Sequence, residues 1–299
     1  MKYCNIQKIS PARISPIFQG YTVGAYDKTC RLVNFSPGPA QIQNLAIQEL
    51  VKIIYSRPTP FEISHRSPEF NILLDNVNSQ MRSFLSVPDM FEIFWMPGGA
   101  HAQFGAIPLN MIGRKGNYLV SGTWSSRAFE ESKLFAHIDT YNSNNIKVND
   151  ALEYQYLPKH IAVNQSDDYL FICSNETVNG VQFRNDGYPL PKRDELGDTK
   201  LIVDMSSDLG SQAIDWSNID MAFASGSKNF GAAGSTVIFA RKSLLFENKL
   251  KKPSVLNWMN YQKSNSLYNT PCVVNFYMTD IILRSYIEGG GLSAIEDRR

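Results

Sequence analysis

Met221-Ala222-Phe223-Ala224-Ser225-Gly226-Ser227-Lys228-Asn229-Phe230-Gly231 runs from four apolar residues straight into a polar, glycine-punctuated turn that carries a lysine. A short apolar run bounded by turn residues reads as a buried strand. The same reading applies to Phe91–Met96, Tyr118–Ser121, Tyr169–Cys173, Leu201–Asp204 and Thr236–Phe239. Between some of these runs the apolar residues recur at helical spacing, as at Phe104, Ile107, Leu109 and Ile112. Short continuous strands alternating with helices predict an α/β fold whose mostly parallel sheet is covered by helices on both faces. In such sheets a ligand lies beyond the carboxyl ends of the strands, which directs the search to the polar residues that follow each one.

Outward from this sheet the pattern is helical. One helix runs from Ala40 through Ile42, Leu45, Ala46, Leu50 and Ile54 and is stopped by Pro58 and Pro60. Others span Glu69–Leu85 and Pro271–Ile287, the last closed by Gly289-Gly290-Gly291. Leu292–Arg299 then reads as the first turns of a further helix. A net charge of +1 gives no reason to expect nucleic acid or an anionic membrane as partner, and no uncharged apolar run is long enough to span a bilayer. The four cysteines (Cys4, Cys30, Cys173, Cys272) form no C-x-x-C pair, which argues against zinc and disulfides and fits a cytoplasmic, reducing compartment. In the first 33 residues Lys2, Lys8, Arg13, Lys28 and Arg31 face a single acid, Asp27. An N-terminal extension is the favoured reading, with an organelle-targeting peptide as the alternative.

The strand ends collect a chemically coherent set. Gly98-Gly99-Ala100-His101 opens a helix, whose first backbone N–H groups suit a phosphate. Gly122-Thr123-Trp124, Asn175-Glu176-Thr177, Asp204 and Ser227-Lys228 follow the other strands. One phosphate cradle, one flat aromatic, one hydroxyl, one acid and one lysine answer the needs of pyridoxal phosphate: an amine to form a Schiff base, a carboxylate to keep the pyridine nitrogen protonated, and a ring to stack on. Each has a plainer reading. A strand-end Asp is commonly a cap, Trp124 a packing residue, Gly98-Gly99 a turn and Lys228 a solvated lysine. Ser225-Gly226-Ser227-Lys228 also satisfies the S-x-x-K motif of serine β-lactamases, but its companion motifs are absent.

Read in order, Asn34–Ala40, Glu62–Ser67, Gly98–Phe104, Gly122–Trp124, Cys173–Val181, Asp204–Asp208, Ser227–Gly231 and Leu267–Pro271 resemble the phosphoserine aminotransferases, class-V enzymes of fold type I. The resemblance implies pyridoxal 5'-phosphate as cofactor, Lys228 as its Schiff-base lysine, Asp204 on the pyridine nitrogen, Trp124 stacked on the ring and Thr177 on the ring hydroxyl. It places Ala100, His101 and Ser227 at the phosphate, and Asn269 and Thr270 at the phosphate of the other subunit's cofactor, so that the enzyme is a homodimer. His65 and Arg66 match the segment that binds the substrate's anionic group. The implied reaction is ping-pong transamination between glutamate and 3-phosphohydroxypyruvate in serine biosynthesis, with small-molecule substrates and neither nucleic acid nor membrane.

Three departures bear on this. Ser227 stands where the family has Gln, and Tyr55–Pro60 replaces a Gly-rich stretch with a stiffer one. The family also continues beyond the length of this chain into a small domain. The resulting expectation is an extension at 1–33, a cofactor-binding large domain at 34–290 and the start of a truncated small domain at 291–299, with transamination impaired. The alternative is a catalytically silent, dimeric cofactor-binding paralogue or shortened isoform. Other members of the fold type, such as a cysteine desulfurase, would need a mobile catalytic cysteine, which Cys173 and Cys272 do not suggest.

Overall fold

The structure is a computed structural model that describes residues 38–111, 115–135, 143–147 (backbone), 157, 161, 163, 167–247 and 251–298. The expectations for residues 1–33 and for the motif residues 34–37 lie outside the described residues.

Phe91–Pro97 (β1), Gly116–Val120 (β2), Ser143–Lys147 (β3), Tyr169–Cys173 (β4), Lys200–Asp204 (β7), Met221–Ser225 (β8) and Ser235–Arg241 (β9) form one sheet in the order β1-β9-β8-β7-β4-β2-β3. Neighbours from β8 to β3 are parallel, and β9 alone runs against both β8 and β1. Asn175–Glu176 (β5) and Val181–Gln182 (β6) make a separate two-stranded ribbon.

Side chains alternate across a strand, so a sheet covered on both faces needs apolar residues at every position. Leu170, Ile172, Leu201, Val203, Ala222 and Ala224 enter one core with Phe70, Leu74, Val77, Phe276 and Leu283. Phe171, Ile202, Met221 and Phe223 enter the other with Phe104, Ile107, Phe129, Trp258 and Tyr261. The helices on the first face are Pro68–Phe84 (α2) and Val273–Glu288 (α7). On the second lie Ala100–Asn110 (α3), Thr123–Lys133 (α4) and Trp258–Lys263 (α6). Asn44–Ile54 (α1) packs Ala46 and Leu50 against Ile281 and Ile282 of α7. Arg193–Leu196 (α5) is a single turn, and Gly291–Glu296 (α8) forms the helical turns expected at the end of the chain.

The alternation of strand and helix is incomplete. Residues 226–234 between β8 and β9 contain turns, and β9 returns antiparallel. Their glycines explain why: Gly231 and Gly234 hold φ of 156° and 110°, a region that side chains disfavour and helices do not use. No helix among the described residues is long and apolar enough to cross a membrane.

One buried carboxylate ties three strands together. Asp220 accepts hydrogen bonds from Arg193 Nη2 at 2.7 Å and from the backbone N–H of Leu201 at 2.9 Å, and lies 3.5 Å from Arg241 Nε. Asp220→Ala leaves the buried Leu201 donor and two guanidinium groups without their shared acceptor. Urea unfolding is expected to show a loss of about 3 kcal/mol, and Asp220→Asn a smaller one.

Candidate active site

A cavity of about 270 Å³ opens at the carboxyl ends of β4, β7 and β8. Its lining includes Ala100, His101, Trp124, Thr177, Asp204, Ser227 and Lys228. Strand register brings them level: Cys173 pairs with Asp204, and Asp204 with Phe223.

Lys228 follows β8 on the turn that Gly226 and Gly231 shape. Its Nζ donates to Gly38 O at 3.0 Å, while Ala40 N donates to Ser227 O at 3.1 Å, so residues 38–40 form one wall beside it. Burial draws the Lys228 amine below its ordinary value, and the nearby Asp204 charge opposes this. An amine displaced in that direction holds more of its neutral, nucleophilic form.

Asp204 is 3 % exposed and takes a hydrogen bond from Ser206 N to Oδ1 at 2.8 Å. Burial pushes its carboxyl up to about 7; the Ser206 bonds oppose the shift, and the charges of Glu176 and Asp208 add to it. A buried acid of this kind is stabilised as a carboxylate by a cationic partner placed against it.

Opposite lies the start of α3. Its N-cap, Gly99, offers no side-chain hydrogen bond, so the first turn relies on another acceptor. Gly98 reaches a φ of 91°, which turns the chain into the helix. A Cβ on Gly99 would lie 3.6 Å from Ser225 Oγ, which is 3.2 Å from Ser227 Oγ. Uncapped N–H groups and two hydroxyls thus face the same end of the cavity. Trp124 stands edge-on to His101 at 5.6 Å between ring centroids, with the Arg127 guanidinium 5.1 Å from its own ring. Its buried indole Nε1 has no partner among the described residues.

His65, Arg66, Asn269 and Thr270 do not line this cavity. His65 is buried with Nε2 unpartnered among the described residues, and Arg66 is exposed. Burial, helped by the Arg66 charge, holds the His65 imidazole below its ordinary value. Asn269 is half-buried and Thr270 exposed. Beside Gly99, the rest of the lining is Ser225, Ser206, Ser207, Asn175, Cys173, Gly38 and Pro39. Sequence reasoning gave these no role, although Ser225 directly follows an expected strand and the rule of polar residues at strand ends already pointed to it.

The family model for class-V aminotransferases matches residues 32–299. The chain belongs to this family. Among class-V aminotransferases, the phosphoserine aminotransferase of Haemophilus ducreyi is 33% identical over 279 residues, which cover 89% of this chain and 73% of that one. The chloroplastic phosphoserine aminotransferase 2 of Arabidopsis thaliana is 33% identical, with 90% and 63% covered. The crystal structure of pyridoxal-phosphate-bound phosphoserine aminotransferase from Trichomonas vaginalis superposes with a TM-score of 0.82 at 31% identity, covering 90% of this chain and 74% of that one. The expected family, fold type, transaminase class and cofactor all stand with these findings.

The cavity fits that cofactor on its own chemistry. An uncapped helix start with two hydroxyls suits its phosphate, a buried acid its ring nitrogen and an amine of lowered basicity its aldehyde.

Proposed function

We propose that the chain is a phosphoserine:2-oxoglutarate aminotransferase, in which glutamate and 3-phosphohydroxypyruvate exchange an amino group through pyridoxal 5'-phosphate. The observation that carries the reading is the convergence of Lys228, Asp204, Trp124 and Thr177 on one cavity beneath the open start of α3. Residues 34–290 are then the cofactor-binding domain.

When bound, the cofactor supplies an aldehyde carbon for the amine and a ring that draws electrons away from the substrate's α-carbon. Lys228 holds the aldehyde between turnovers and moves the proton at the α-carbon in each half-reaction, a task suited to an amine of lowered basicity. Asp204 keeps the proton on the ring nitrogen. Trp124 fixes the plane of the ring, and Thr177 donates to or accepts from its hydroxyl. Ala100 and His101, through their backbone N–H groups, hold the phosphate with the hydroxyls of Ser225 and Ser227. His65, Arg66, Asn269 and Thr270 lie away from this chain's cavity and serve the site of a second copy in a homodimer, His65 and Arg66 at the substrate anion and the other two at the cofactor phosphate.

The test is spectroscopic. The purified chain is expected to gain a visible absorbance with pyridoxal phosphate, to lose it on glutamate with release of 2-oxoglutarate, and to regain it on 3-phosphohydroxypyruvate. A chain that stays colourless sinks the reading, and recovery only with another oxo acid moves the substrate assignment elsewhere.

The hydroxyl pair gives a separate prediction. Ser225→Ala/Ser227→Ala removes two hydrogen bonds to a charged group, so affinity for pyridoxal phosphate is expected to fall about ten- to a hundredfold. Affinity for pyridoxal, which lacks the phosphate, stays as in the parent. Absorbance titrations with both compounds check it.

A further inference from the structure

Every helix begins with backbone N–H groups that have no partner inside the helix. In α4, which carries Trp124, these groups are satisfied from outside the helix. Trp124 N donates to Glu176 Oε2 and Ser125 N to Glu176 Oε1, each at 2.8 Å, and Ser125 Oγ donates to the same Oε1. Thr123 donates to Asn179 Oδ1 through both N, at 2.8 Å, and Oγ1, at 2.9 Å. Glu176 and Asn179 belong to one tight turn, closed by Gly180 N donating to Glu176 O at 2.8 Å, and that turn also contains Thr177.

The approach is close. A Cβ on Gly122, the residue before the helix, would fall 2.6 Å from Glu176 Cγ and Cδ and 2.7 Å from Asn179 Oδ1. Glu176 has no exposed surface at all. Burial raises its carboxyl above the ordinary range, and the bonds from Ser125 and Trp124 oppose this. A buried acid satisfied by a helix start and by little else is a large commitment for a cap alone, since an exposed side chain serves that purpose.

We propose that Glu176 is a positioning residue of the cofactor site: its carboxylate locks the helix start that carries Trp124 to the turn that carries Thr177, so that ring and hydroxyl face the cavity as one rigid unit. Glu176 touches neither cofactor nor substrate; it acts through these two residues. The proposal rests on the cofactor reading above and adds that stacking and ring-hydroxyl contacts are coupled.

Glu176→Gln tests it, because the amide keeps the shape but replaces one acceptor oxygen with a donor that faces a donor. The full chain is titrated with pyridoxal phosphate while visible circular dichroism, which reports how the cofactor sits in its chiral surroundings, is followed together with the melting curve. The expected result is a weaker dichroic band and a Kd raised about tenfold. That rise is expected to disappear when the same change is made in a Trp124→Ala/Thr177→Ala background. A lowered melting temperature with unaltered band and Kd would mean a cap and nothing more, and would overturn the proposal. So would a tenfold loss that persists in the double background. If Glu176→Gln does not fold, Glu176→Asp, which keeps the charge but draws the carboxylate back from Trp124 N and Ser125 N, is read in the same way; an unaltered band and Kd there also overturn the proposal. A parent chain that binds no pyridoxal phosphate removes the cofactor reading itself, which the parent titration reveals before any variant is compared.

Discussion

Lys228→Ala is expected to abolish the visible absorbance that pyridoxal phosphate gives the parent chain and to slow the glutamate half-reaction about 10⁴-fold. Both effects follow from one side chain. The amine lies in the wall of the cavity, burial holds it below its ordinary basicity, and it lines the same space as Asp204. Removing it takes away the group that bonds the aldehyde and the base that moves the α-proton. Single-turnover absorbance with glutamate measures the rate, and added methylamine separates the two losses by restoring a diffusible base. The variant is expected to unfold as cooperatively as the parent, since Lys228 is only half-buried. A variant that keeps the band would place the covalent lysine elsewhere.

Asp204→Asn is expected to lower transamination about 10²- to 10³-fold, because a neutral amide cannot hold positive charge on the ring nitrogen. The same substitution has a distinct effect on the chain without cofactor. The Asp204 carboxyl titrates at about 7 in the folded chain against an ordinary 3.8, chiefly because it is buried. Below pH 3.8 it is protonated in both folded and unfolded chains, and the favourable difference is fully present. As pH rises towards 7 the unfolded chain ionises freely while the folded one resists, so stability falls across that window and levels off above it. The loss is on the order of 4 kcal/mol. Asp204→Asn removes this slope, so the cofactor-free variant is expected to be more stable than the parent at pH 8 and equal to it near pH 4. Urea midpoints at the two pH values check the sign, and a parent without this slope would show that Asp204 ionises normally.

Much of this was readable before the structure. The strands at Phe171, Ile202 and Phe223 are apolar on both sides, and only a sheet covered on both faces demands that. Asp204 ends an expected strand, and Trp124, Thr177 and Lys228 lie on the turns that follow three others, so the strand-end rule brought them together. The same logic failed where contacts are distant in sequence. The strand Ser143–Lys147 has no apolar alternation to announce it, and its place in the sheet comes from pairing with Gly116–Val120. The bond from Lys228 to Gly38 spans 190 positions, and nothing in Gly38-Pro39 foretells it. Glu176 lay inside a quoted motif, yet its carboxylate acts on a helix 51 positions earlier, which no local pattern encodes.

The pairing of Cys173 with Asp204, and of Asp204 with Phe223, makes the central ladder a ruler. Val203, one position back, points into the opposite core. Deleting a single residue from Lys200–Val203 would swing the acid through to that far side and put Met205 in its place. Lineages descended from such a chain can therefore reshape the pocket by exchanging side chains or lengthening the loops at its rim, but the strand lengths beneath it are frozen.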